Sequence, residues 1–122
     1  MITQYTAASI VSQNKQLCTP AAVDSIVSSN GQEDHVSMGA NSAIHLNKIV
    51  ANVKYILGIE IFTAAQALEF RNPLKSSRTI EKLLSDYRKH VRFIKKDEVM
   101  HDHIISSLNF IDKLNIDDKL IV

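Results

Sequence analysis

Residues 31–39 read Gly-Gln-Glu-Asp-His-Val-Ser-Met-Gly and set Gln32, Glu33, Asp34 and His35 side by side at the mouth of the longest apolar run in the chain. Carboxylates in such a place have two ordinary uses. Asp34 or Asn30 is placed to cap a helix, and Glu33 lies where helix amides and the helix dipole favour a negative group. The same carboxylate is also suited to holding a ligand's amino group or moving a proton. Glu33 and His35 are two positions apart and share no helix face, and no second ligand pair is visible. No metal site is assigned to them. The pattern alone leaves cap and active-site carboxylate open.

Other residues offer less. His101-Asp102-His103 spaces two imidazoles for chelation from an extended segment, although an exposed polar link is the commoner use of such a stretch. Cys18 is the single cysteine. No histidine and acid are placed around it in a nucleophile motif. Between Arg71 and Lys96 nine Lys/Arg face only Glu81 and Asp86. Phosphate is a conceivable partner there, but the aromatics are only Tyr87 and Phe93, and a solvated helix face is the simpler reading. Three glycines, Gly31, Gly39 and Gly58, form no phosphate-cradling loop.

The elements that must position these residues are helical. Ala7, Ala8, Ile10, Val11 and Leu17 mark a helix face over residues 1–17, with Thr3 as a possible cap and Pro20 as the stop. Residues 18–32 read as a loop with a short helical turn around 21–26. Ser28, Ser29, Asn30 and Gly31 are turn formers, and no strand pattern flanks them, which argues against a hairpin. A long helix is expected over about 34–70. Leu46, Ile49, Val50, Val53, Ile56, Leu57, Ile61, Ala64, Ala65 and Leu68 hold a three-four spacing there. Its other faces are nearly as apolar, with Ile44, Ile59, Phe62 and Ala67 off the stripe. A helix that is apolar all round needs cover on most sides, and so short a chain cannot supply it. The sequence therefore predicts partners outside this chain. Shorter helices follow at about 79–93, capped from Lys75-Ser76-Ser77, and at about 104–114, with a loose tail from 115 to 122. The fold class is all-α, a helical bundle fragment with one long central helix, and 1–122 reads as a single helical region.

Composition narrows the class. With 122 residues and 45% hydrophobic content one domain with a real core is feasible. A net charge of +1 does not call for nucleic acid. One cysteine excludes an internal disulfide and suits a reducing compartment. The first residues lack the pattern of a signal peptide. The least charged stretch, 55–68, is too short to span a bilayer and contains Glu60. The expectation is a cytoplasmic protein with no nucleic acid and no membrane partner.

Three blocks carry a resemblance. "QYTAASIVSQNKQLCTPAAVDSI", "GQEDHVSMG" and "EFRNPLKSS", in that order, resemble the C-terminal part of histidine ammonia-lyase, within the aromatic amino acid lyases. The likeness is strong over about residues 1–77; beyond that only "VRFIKKDE" is similar. The relatives acting on phenylalanine or tyrosine usually read Asn-Gln-Asp where this chain has Gln32-Glu33-Asp34. The resemblance implies a helical tetramer whose active sites are shared between subunits. It implies conversion of L-histidine to urocanate and ammonia. It also implies an electrophilic methylidene-imidazolone group made from Ala-Ser-Gly. Glu33 then matches a catalytic and substrate-binding glutamate near the substrate amino group, and Gln32 a neighbouring substrate-binding residue. No Ala-Ser-Gly occurs in the sequence, so no cofactor is expected in this chain itself. The expected partners are further copies of the chain or the N-terminal part of the lyase, with L-histidine as substrate of the complete enzyme. The alternative expectation is a non-catalytic helical oligomerisation module. Val27 stands where the family usually has proline and Asn30-Gly31 where it has Ala-Asn, changes expected to loosen the loop that aims Glu33. Glu98 stands where an arginine is common.

Overall fold

A computed structural model describes residues 1–115. It contains four helices, α1 (Ile2–Leu17), α2 (Gly39–Glu69), α3 (Arg78–Tyr87) and α4 (His101–Lys113), with no strand among the described residues. The all-α expectation holds. The chain divides into two compact units, Met1–Lys54 and Tyr55–Val122, which are taken in turn. The tail expected from 115 onward lies, beyond Asn115, outside the described residues.

In the first unit, α1 begins without a side-chain cap. Thr3 sits inside the helix, and the N-cap is Met1. The helix ends at Cys18, whose N–H reaches back to the Asn14 carbonyl at 3.0 Å, and Pro20 forbids continuation. A 3₁₀ turn, Ala21–Val23, follows, and a second, Ser29–Gly31, comes after it. The N-terminal half of α2 meets α1 through one polar clamp. The Asn52 side-chain amide donates to Gln13 Oε1 and Asn14 Oδ1, both at 2.8 Å. None of residues 1–54 is fully buried. Ile44, Leu46 and Val50 of α2 are 54%, 60% and 58% exposed.

The long helix starts at Gly39, five residues later than the 34 expected from the pattern. The intervening residues are taken up by a tight loop. Consequently neither Asp34 nor Asn30 caps α2, and Glu33 does not sit at its N-terminus. Ser37 Oγ instead accepts the Gly39 N–H at 3.3 Å. The C-terminal end agrees with the sequence reading. By length and composition alone α2 is also able to cross a membrane, with a mean hydropathy of 1.2 in its best window.

The second unit has a proper core. Phe62 and Ala65 of α2, Tyr87 of α3, Val91 and Phe110 of α4 are buried together, with Leu83, Leu84 and Ile94 against them. Tyr87 meets Phe110 edge-on, ring centroids 5.3 Å apart. Gly58 lets α4 approach α2 closely, since a Cβ there would lie 2.8 Å from Leu108 Cδ2 and 3.3 Å from its Cγ. The expected serine cap of α3 is real. Ser77 Oγ accepts from Ile80 N–H at 3.3 Å, and Glu81 Oε1 accepts from Ser76 N–H at 2.9 Å.

Helix α3 stops at Tyr87 rather than near 93. The Arg88 backbone N–H closes the helix on the Leu84 carbonyl at 2.9 Å, while its side chain is ion-paired with Glu69 and holds the following turn by donating to the carbonyls of Val91 and Arg92 at 3.1 and 3.3 Å. The chain then runs without helix to residue 100. The Gln66 side chain holds that run by a two-way pairing with Ile94, donating to its carbonyl at 2.7 Å and accepting from its N–H at 3.2 Å. Helix α4 starts at His101, not 104, so the histidine pair lies in a helix rather than in a polar link. Ile104, Ser107 and Phe110 are its buried face.

Candidate functional site

Glu33 is exposed and sits at the end of a left-handed loop in the first unit. Ser29, Asn30 and Gly31 have φ values of 51°, 60° and 86°. Asn and Gly reach that region at the least cost, whereas Ser29 pays for it. The Asn-Gly pair therefore shapes the loop. The three residues return the chain so that Ser28 and Glu33 pair as an isolated antiparallel bridge. The Ser28 N–H donates to the Glu33 carbonyl at 2.8 Å, and the Glu33 N–H donates back at 3.3 Å. This one-pair closure was not expected, because no strand pattern flanks it. It forms on turn chemistry alone.

The side chains repeat the pairing. Ser28 Oγ donates to Glu33 Oε2 at 3.2 Å. Gln32 ends the turn, with its N–H on the Ser29 carbonyl at 3.2 Å. Asp34 and His35 are exposed. The loop base is stapled by Ser25, whose Oγ accepts from Val36 N–H at 2.8 Å and whose N–H donates to Asp24 Oδ1 at 2.9 Å. Gln32 and Glu33 are thus adjacent and solvent-facing on a loop shaped by local bonds. A carboxylate presented in this way is suited to accept hydrogen bonds from an ammonium group, and an adjacent amide to orient it.

Sequence reasoning counted Ser28 among the turn formers and missed its hydroxyl. The available signal was the spacing of a serine five residues before the glutamate across Asn-Gly.

The other candidates lose their chemistry in the structure. His101 and His103 are two apart on α4 and so project about 200° apart. His103 donates from Nε2 to Glu98 Oε1 at 2.6 Å and stacks on Phe62 at 5.9 Å. Arg92 donates to the other oxygen of Glu98 at 2.6 Å. Burial pushes the Glu98 carboxyl up, but the bonds and charges of Arg92 and His103 outweigh it and hold the group below its usual value. Among the described residues no three His, Cys, Asp or Glu are gathered for a metal ion. Cys18 is exposed at the end of α1. In the basic stretch Lys75, Arg88, Lys89 and Arg92 each have a carboxylate partner.

The sequence profile of the aromatic amino acid lyases matches residues 1–89. The chain belongs to the aromatic amino acid lyase family. It is 45% identical over 111 residues to histidine ammonia-lyase of Treponema denticola, covering 91% of this chain and 22% of that protein. The crystal structure of histidine ammonia-lyase from Trypanosoma cruzi superposes with a TM-score of 0.88 at 39% identity, over 92% of this chain and 22% of that one. Pantoea agglomerans phenylalanine aminomutase superposes at 0.82 with 26% identity, over 89% and 21%. The chain therefore spans about a fifth of the length of the lyase relatives it matches. The same helical portion is found in a lyase and an aminomutase, so the fold of this part does not by itself select the reaction.

Proposed function

We propose that this chain supplies Glu33, Gln32 and bundle helices to a composite active site of the histidine ammonia-lyase type, and that it is inactive alone. The reaction of such a site breaks the Cα–N bond of L-histidine, removes a proton from the neighbouring carbon and releases urocanate and ammonia. The observation that carries the proposal is the exposed Glu33 carboxylate, held by the Ser28 pairing on a loop inside the matched family segment. In this reading Glu33 accepts hydrogen bonds from the substrate amino group, and Gln32 helps to orient it. The family's methylidene-imidazolone does not fit this chain, because its Ala-Ser-Gly precursor does not occur in the sequence. The electrophile then comes from other residues of the assembled enzyme. The exposed apolar face of α2 is where further bundle helices pack, with the site in the cytoplasm.

Mixing the chain with a polypeptide that carries the Ala-Ser-Gly part tests this. Urocanate absorbance should rise with L-histidine only in the mixture. A silent mixture beside an active intact homologue would sink the proposal.

A second reading is a helical oligomerisation module without catalysis. It draws on the absence of any fully buried residue over 1–54 and on the bare face of α2. Such a module predicts that assembly proceeds while no mixture gains lyase activity.

A further inference from the structure

The loop that carries Glu33 is closed by one residue, and that residue also touches the carboxylate. Ser28 and Glu33 share three hydrogen bonds, two between backbones at 2.8 and 3.3 Å and one from Ser28 Oγ to Glu33 Oε2 at 3.2 Å. The backbone bonds set where Glu33 leaves the chain. The hydroxyl acts on the part the backbone cannot control, the three rotatable bonds of the glutamate. An exposed glutamate samples many rotamers. A fixed donor on one oxygen selects those that aim the other outward.

We infer that Ser28 is a positioning residue for Glu33. Its hydroxyl holds Oε2 so that Oε1 is presented to the amino group of an amino-acid substrate. The inference rests on the lyase reading above and deepens it. Ser28 itself does not touch substrate. In the isolated chain water competes with the Ser28 hydroxyl. In an assembled site from which water is excluded, the same bond is electrostatically stronger. Threonine keeps the donor and alanine removes it.

The test is made in the mixed enzyme. Ser28→Ala should lower kcat about tenfold with KM changed less than about threefold, as for loss of orientation of a group acting in the chemical step. Ser28→Thr should stay within about threefold of the parent, since it restores the hydroxyl. In a Glu33→Ala background, where no side-chain acceptor remains, Ser28→Ala should add no further loss, because a residue acting only through the Glu33 side chain has nothing left to act on. If Ser28→Ala equals the parent while Glu33→Gln is inactive, the positioning role fails and the lyase reading stands. Should Glu33→Gln be as active as the parent, the lyase reading fails and the positioning role with it. Equal losses in the alanine and threonine variants, or a further loss in the Glu33→Ala background, would mark Ser28 as a backbone element only and overturn the inference.

A readout without any partner comes from the carboxyl carbon resonance of Glu33 in this chain. It should move in Ser28→Ala and stay in Ser28→Thr. An unmoved resonance in the alanine variant overturns the contact itself.

Discussion

Ser29 is the residue at which the site loop is most exposed to a single substitution. Its φ of 51° lies in the left-handed region, where a β-branched side chain meets the backbone. Ser29→Val should cost about 1–2 kcal/mol in thermal unfolding. Ser29→Gly should be neutral to within about 0.5 kcal/mol, because glycine has no Cβ to clash. Glu33 was legible in the sequence as a carboxylate near a turn. Its setting was not, because a bridge of one residue pair leaves no period-two pattern to read. The helix-cap role assigned to Asp34 and Asn30 failed for a related reason. The pattern of apolar residues says where α2 can run, and local turn bonds decide where it begins.

Elements in the second unit depend on side chains that stand in for backbone. Gln66 satisfies both the N–H and the carbonyl of Ile94. Gln66→Leu would leave both groups half-buried without those partners and should cost about 1–3 kcal/mol by chemical denaturation. Tyr87 is nearly inaccessible, and burial pushes its hydroxyl pKa up despite the bond to Ser107. Ser107 Oγ already donates to the His103 carbonyl at 2.7 Å, so Tyr87 is the donor in the 2.6 Å contact between them. Tyr87→Phe should therefore cost about 1–2 kcal/mol, measured the same way.

Glu98 gives this unit an acid-sensitive tie. Its carboxyl is held below the usual value. The stabilisation it provides is thus present above the ordinary glutamate pKa of about 4.3 and lost as pH falls through the lower folded value. The melting temperature should fall along that acid limb, and Glu98→Gln should flatten the fall. Both helix existence and the Ser77 cap were readable in this region. The early end of α3 was not. Beyond Tyr87 the chain is held in a turn by the Arg88 side chain on Glu69 and on the carbonyls of Val91 and Arg92, and a sequence window does not show such long-range bonds.

At the scale of the whole molecule the decisive feature is what the first unit lacks. Its helices form where apolar spacing allows, yet no residue over 1–54 is fully buried. Apolar residues covering nearly every face of a helix were the sequence signal for partners, and Ile44, Leu46 and Val50 of α2 are more than half exposed. Light scattering on a size-exclusion column should give a mass of several chains. Leu46→Glu with Val50→Glu should shift it toward one chain, because each places a carboxylate on the face proposed to pack against further helices.

The central claim is that Glu33 belongs to a lyase site completed by residues outside this chain. The most direct measurement compares initial rates of urocanate appearance for the parent and for Glu33→Gln, each mixed with the Ala-Ser-Gly-bearing polypeptide and matched for assembly by light scattering. The account predicts a clear rate for the parent and a loss of about a hundredfold or more for the variant, the scale expected for a group that handles a proton or the leaving amine. Equal rates at equal assembly would contradict it.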